Sequence, residues 1–246
     1  MSPPLLLAGA GPIIPSFGSP RSFACERNNG TFCWHWFSTN WSSVLWPALR
    51  QHVVLTLIGV GIGFIIASTL ALFAHRRGWI ERPVVILTAI LYTIPSLALF
   101  ELLVPVPGFG LSLLTAETAI VSYTLLILFR NILTGLRGVP AEVKDAARGM
   151  GMTPRQMLLR VEIPLALPAI FAGLRIATVT VISLATVASL VDNEGLGVPI
   201  LAAIANNGFK TELIAGGVLA VALALVADAL LVGLQRLVTP WARRLA

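Results

Sequence analysis

Long apolar runs alternate with short polar connections along this chain. Five runs reach the length that crossing a bilayer requires, about 20 apolar residues. They lie near 53–74, 84–104, 113–134, 166–190 and 213–235. The first carries no charge, and its "GVGIG" at 59–63 supplies small residues for close helix packing. The pattern predicts an all-α integral membrane protein with five transmembrane helices. A transmembrane domain spans 46–246, preceded by an N-terminal extracytoplasmic arm over 1–45. Within the arm, "PPLLLAGAGPIIPSF" is short, proline-rich and without a basic n-region. It reads as a loop or interfacial segment and not as a signal peptide.

The largest polar interruption, 138–164, has helical structure of its own. In "RGVPAEVKDAARGMGM" Pro140 suits the first helical position, and Glu142 falls in the first turn, where the helix dipole favours an acid. Ala141, Ala146 and Ala147 are strong helix formers, and Gly149 and Gly151 end the helix. "TPRQ" then forms a capping box: Thr153 caps, Pro154 takes the first position and Gln156 reaches back. A second helix runs through "RQMLLRVE" to Pro164. The segment is therefore a folded helix–turn–helix foot. Ala146 and Ala147 give it a small-residue surface that another protein can approach closely.

Composition agrees with a bilayer as the solvent. Of 246 residues, 57% are hydrophobic and 11% charged, against about 25% charged in soluble domains. The mean hydropathy is +0.88. A net charge of +6 would suit nucleic acid, but the basic residues sit between apolar runs and not on one soluble domain, which excludes that class. They set the orientation instead. Arg76, Arg77 and Arg82 follow the first run; Arg130, Arg137, Lys144, Arg148, Arg155 and Arg160 flank or fill the foot; Arg236, Arg243 and Arg244 close the chain. The opposite side holds Arg21, Arg27, Arg50 and Lys210. The foot and the C-terminus are thus expected in the cytoplasm and the N-terminus outside, in a multi-pass cell-membrane protein. Cys25 and Cys33 lie in the outer arm, where an oxidising exterior permits a disulfide closing "CERNNGTFC"; two free thiols are the alternative. With His35 they make three ligands where zinc takes four, so no metal site is expected.

Polar residues within the runs are costly and mark candidate sites. Glu101 and Glu117 lie near the outer face, either attracting a cationic substrate or simply wetted at the interface. "LYTIPSLA" places Tyr92, Thr93 and Ser96 around Pro95, which bends the run. These hydroxyls either line a water-filled path, with Tyr92 facing a quaternary ammonium, or serve helix packing. Arg175 and Asp228 lie at similar depths in consecutive runs, about 15 and 10 Å from the inner end at the helical rise. They either pair, holding the two spans in register, or act separately, with Arg175 reaching back to the interface.

"DAARGMGMTPRQMLLRVEIP" resembles the EAA loop of permease subunits of ATP-binding-cassette importers. The family pattern is Glu-Ala-Ala, three residues, Gly, nine residues, then Ile-x-Leu-Pro. Asp145, Ala146 and Ala147 take the first places, Gly151 falls at the required spacing, and Val161, Ile163 and Pro164 close it. Asp for Glu and Val-x-Ile for Ile-x-Leu are the departures. "YTIPSLALF", "RNILTGLRGVP" and "EIPLALPAIFAGLR" extend the resemblance from about Leu45 to Val238, and are most similar to the osmoprotectant subfamily, which imports glycine betaine, carnitine and choline. That subfamily carries "GAGGLG" where this chain has the more acidic "VDNEGLG" at 191–197, and the first 40 residues are unmatched.

The resemblance implies the MetI-like type I fold with a cytoplasmic coupling-helix foot. It implies two permease subunits, alike or paired with a sister chain, two cytoplasmic ATPases that each hold a foot, and an extracytoplasmic substrate-binding protein. Glu142, Asp145, Ala146, Ala147, Gly151, Met152 and Pro164 are then the ATPase-coupling candidates. Tyr92, Thr93, Pro95, Ser96 and Glu101 are the pathway candidates. The chain has no Gly-x-x-x-x-Gly-Lys-Ser/Thr loop, so ATP and magnesium are expected on the partner ATPase, with no cofactor and no catalysis here. Three other readings stand beside this one: a methionine-type amino-acid permease, an ion-coupled carrier and a membrane scaffold. An ion-coupled carrier would need an internal repeat, which the sequence lacks.

Overall fold

The computed structural model describes Cys25, residues 28–206 and residues 208–241. The "PPLLLAGAGPIIPSF" segment and Arg21, Arg27, Arg243 and Arg244 lie outside the described residues. The helices are α1 (Trp34–Asn40), α2 (Trp46–Arg76), α3 (Glu81–Thr93), α4 (Ser96–Leu103) and α5 (Leu113–Arg137). They continue with α6 (Ala141–Gly149), α7 (Pro154–Met157), α8 (Ile163–Asp192), α9 (Gly197–Ala205) and α10 (Lys210–Val238). Among the described residues, four stretches are long and apolar enough to cross a membrane, and the bent pair α3–α4 makes a fifth crossing if counted as one.

The expected second run is broken more sharply than a proline kink. A residue before proline avoids the helical region. Ile94 accordingly takes ψ 128°, α3 stops at Thr93, and α4 restarts at Ser96 after a 97° bend. The expectation that the second foot helix ends at Pro164 is corrected. A single helical stretch runs from Pro154 to Asp192. A π-helical turn, Leu158–Glu162, precedes Pro164 and shifts the backbone pairing, which accommodates a residue without an N–H. Pro140 caps α6 from outside and is not its first residue. Helix α9 was not expected, because "GVPILAAIA" is too short to read as a span.

Helix α5 packs along α2 and α8 to form the centre. Gly59 and Gly63, one turn apart on α2, permit the approach. A Cβ on Gly59 would lie 2.6 Å from Ile120 Cγ2, and one on Gly63 would lie 2.0 Å from Thr124 Oγ1. One apolar cluster fills the half of the bundle nearest the foot, with Ala74, Leu128, Phe129, Leu136, Leu158 and Ala166. A second fills the far half, with Phe100, Ile120, Val181 and Ala188. A third joins the arm to α10 through Cys33, Trp36, Leu45 and Phe209.

Cys25 and Cys33 form a disulfide. The arm it closes is docked: Asn29 Nδ2 donates to Gly208 O at 3.1 Å, and Cys33 N donates to Thr211 Oγ1 at 2.7 Å.

Candidate functional site

The foot begins with α6 and ends in a tight turn. Gly151 has φ +78°, a conformation that glycine adopts without penalty. Met150 N donates to Ala146 O at 3.0 Å and Met152 N to Ala147 O at 3.2 Å, so the last carbonyls of α6 are satisfied. The capping box is complete: Gln156 N donates to Thr153 Oγ1 at 3.3 Å, and Thr153 N to Gln156 Oε1 at 2.8 Å. Glu142, Asp145, Ala146 and Gly151 are exposed, and Met152 is half-buried. The expected paired alanine surface is corrected. Ala147 is 1% exposed, because it lies on the opposite helical side from Asp145 and packs into the body. Met150, 70% exposed, stands on the outer face instead. Its position between two glycines was the signal for a projecting apolar residue.

Beneath the foot lies Glu162, buried, with His75 Nε2 at 3.0 Å and Lys144 Nζ at 3.5 Å. The sequence marked Lys144 only as one of the charges that set the orientation, and gave His75 and Glu162 no role. The only signal was a lone acid just before "IP".

The pathway candidates gather at the α3–α4 break. Tyr92 is 42% exposed and stands edge-on to Tyr123, ring centroids 5.7 Å apart. The Tyr123 hydroxyl donates to the Ile94 carbonyl, which the break leaves without a helical partner. Thr93 Oγ1 turns back to Ile90 O at 2.8 Å. Pro95 is exposed and Ser96 half-buried. Glu101 is exposed on α4, five residues beyond Ser96 on the same helix.

Arg175 and Asp228 meet as a two-pronged pair: Nε to Oδ1 is 2.7 Å, and Nη2 to Oδ2 is 3.0 Å. Parallel N–H···O bonds of this kind add geometric specificity. The pair lines an open groove with Ala172, Ile176, Val179 and Thr180.

The far end holds a buried histidine that the sequence did not disclose and a buried acid, Glu117, whose burial it did not reveal. His52 is fully buried; its Nε2 lies 3.0 Å from Ile182 O, and its Nδ1 accepts from Leu196 N at 3.2 Å. It thereby fastens the 193–196 turn onto α2, aided by Gly195 N donating to Gln51 Oε1 at 3.3 Å. The "VDNEGLG" turn is therefore a docked element and not a freely solvated one. Glu117, for which the sequence left open a cation-attracting or a wetted interface role, is 8% exposed, so it is not wetted at the interface. Neither of its oxygens, nor Asp192 Oδ2, has a hydrogen-bond partner among the described residues. The same residues include no cluster of three metal-ligating side chains.

Residues 59–244 match the family model described as the binding-protein-dependent transport system inner membrane component. The chain is 40% identical over 193 residues to the osmoprotectant import permease protein OsmW of Salmonella typhimurium, covering 77% of this chain and 89% of that one. It is 36% identical over 203 residues to the glycine betaine/carnitine/choline transport system permease protein OpuCB of Bacillus subtilis, covering 82% and 91%. Among solved structures, the inward-facing MetNI methionine ABC transporter superposes with a TM-score of 0.70 at 21% identity, covering 79% of this chain and 97% of that one. That likeness concerns the fold.

Proposed function

Because this chain belongs to the family of binding-protein-dependent transport system inner membrane components, we propose that it is the permease subunit of an ATP-driven importer of small quaternary-amine osmoprotectants, such as glycine betaine, carnitine or choline. The observation that carries the cargo class is the likeness to the Salmonella and Bacillus permeases over most of their length. The folded foot supports the ATP-driven part of the reading. A helix with an exposed acidic and small-residue face, closed by a left-handed glycine, is a surface built for a partner.

In this reading two permease subunits form the pathway, and each foot, through Glu142, Asp145, Ala146, Gly151 and Met152, sits in a cleft of a cytoplasmic ATPase. ATP and magnesium bind on the ATPase, and its closure moves the feet and rocks the spans. A substrate-binding protein delivers cargo at the far end. The pathway runs past the α3–α4 break, where Tyr92 offers an aromatic face to a quaternary ammonium. The foot end faces the cytoplasm, as the Arg and Lys distribution favours. The Cys25–Cys33 disulfide at the other end accords with an oxidising exterior.

The reading is tested in vesicles carrying the complete complex. ATP-dependent uptake of radiolabelled glycine betaine, carnitine or choline is expected, with methionine excluded. Methionine uptake alone, or uptake independent of ATP, would overturn it.

A further inference from the structure

Glu162 stands where the foot joins the membrane helices. It is 5% exposed and closes the π-helical turn that opens onto α8. A buried carboxylate requires partners, because an unpaired buried charge is far more costly than a paired one. Its partners come from two other elements. Oε2 takes the hydrogen bond from His75 Nε2 in the last turn of α2. Oε1 faces Lys144 Nζ on α6. Both partner side chains are themselves largely covered, 15% and 19% exposed.

Helix α6 has little else to hold it. Ala147 is its only buried residue, and its other ion pair, Arg148 to Asp145, stays within the helix. The Lys144–Glu162 contact leaves α6 and reaches the root of α8, and His75 continues the line to α2. From this arrangement we infer that Glu162 is a positioning residue: clamped between Lys144 and His75, it makes α6, the root of α8 and the foot end of α2 move as one body. A push on the foot then reaches α2 directly as well as along α8. Since α2 packs through Gly59 and Gly63 onto α5, the displacement enters the centre of the bundle. Packed side chains and charge networks with rigid helices behind them are the physical means by which such coupling travels. This inference rests on the reading that a partner ATPase moves the foot.

A merely structural Glu162 would affect stability and assembly alone, so the test reads coupling. The complete complex is reconstituted in proteoliposomes with Glu162→Gln, Lys144→Met or Lys144→Arg. Solute moved per ATP hydrolysed should fall about 2- to 30-fold in the first two, the range expected for residues along a coupling route. Lys144→Arg should retain the ratio. The double variant Glu162→Gln with Lys144→Met should be no worse than the worse single variant, as residues acting through one contact behave.

A second readout needs no cargo. Spin labels on Arg77→Cys and Arg148→Cys, at the exposed ends of α2 and α6, report the distance between the two helices. In the wild type, ATP should move both together and leave one distance; in Glu162→Gln a second distance should appear. If the wild-type complex hydrolyses ATP without moving solute, the transporter reading itself falls. If the wild type couples hydrolysis to uptake with one label distance and Glu162→Gln matches it in both readouts, the inference is overturned. Should Glu162→Gln fail to assemble, Lys144→Met decides by the same two measurements.

Discussion

At the scale of single residues, charge and backbone angle make the sharpest demands. Arg175 and Asp228 satisfy each other through two hydrogen bonds inside apolar helices. Asp228→Asn leaves the guanidinium with a neutral partner, so the detergent-solubilised protein should melt at a lower temperature than the wild type. The exchange Arg175→Asp with Asp228→Arg should recover that loss, measured by thermal unfolding and by uptake. Intact folding and transport in Asp228→Asn alone would show that the pair is dispensable. Gly151 poses a backbone demand instead, since nothing lies within 4 Å of where its Cβ would be. Strain from its positive φ is then the whole effect, about 1–2 kcal/mol for an ordinary side chain and less for asparagine. Gly151→Leu should therefore reach the membrane in normal amounts yet transport poorly, with Gly151→Asn between it and wild type. Equal uptake in all three would remove the turn from the coupling machinery. Gly151 was legible in the sequence because its cause is local, as with Thr153 and Gln156 three residues apart, whereas the Arg175–Asp228 pair, 53 residues apart, was legible only as one of two alternatives, from matching depths. Glu162 and His52 were not, because their partners lie 87 and 130 residues away.

At the scale of elements, the helices whose patterns are long and continuous emerged from the sequence, and their interruptions emerged only in part. Pro95 announced a bend, but the size of the break depends on Tyr123 capturing the freed Ile94 carbonyl, a tertiary contact. Pro164 looked like a stop because the π-helical turn that lets the helix pass it has no sequence signature of its own. The glycines of α2 were read as packing residues, which holds for Gly59 and Gly63 and not for Gly61. A Cβ on Gly63 meets Thr124 Oγ1 at 2.0 Å, whereas a Cβ on Gly61 meets nothing within 4 Å. Gly63→Ala must push α2 from α5 or distort Thr124, at a cost of about 1–3 kcal/mol, the usual price of overpacking. Gly61→Ala should instead stabilise by up to about 1 kcal/mol through helix propensity. Thermal unfolding of the two variants side by side checks this; equal melting temperatures would contradict the α2–α5 packing. Thr124→Ala, added to Gly63→Ala, should restore part of the loss.

At the scale of the whole molecule, the side on which each end lies follows from contacts between distant segments. The arm is tied to the start of α10, where Lys210 N donates to Asn29 Oδ1 at 3.0 Å. Both therefore lie at the far end. Helix α2 carries the chain to the foot end, where His75 meets Glu162. Helix α5 nevertheless begins at the far end, since Ala116 shares a cluster with Val191. Residues between must return the chain, so the bent pair α3–α4 counts as a crossing despite its 97° break. Four crossings then separate the arm from α10, an even number, as the Asn29 contact demands. Asn193, exposed in the left-handed turn after α8, belongs to the far end, and Asp145, exposed on α6, to the foot. With the foot in the cytoplasm, a membrane-impermeant maleimide added to intact cells should label Asn193→Cys. Asp145→Cys should react only after permeabilisation. Labelling of both from one side would break the crossing count. The reverse pattern would keep the fold but turn it over in the membrane, leaving the foot where no cytoplasmic ATPase can reach it.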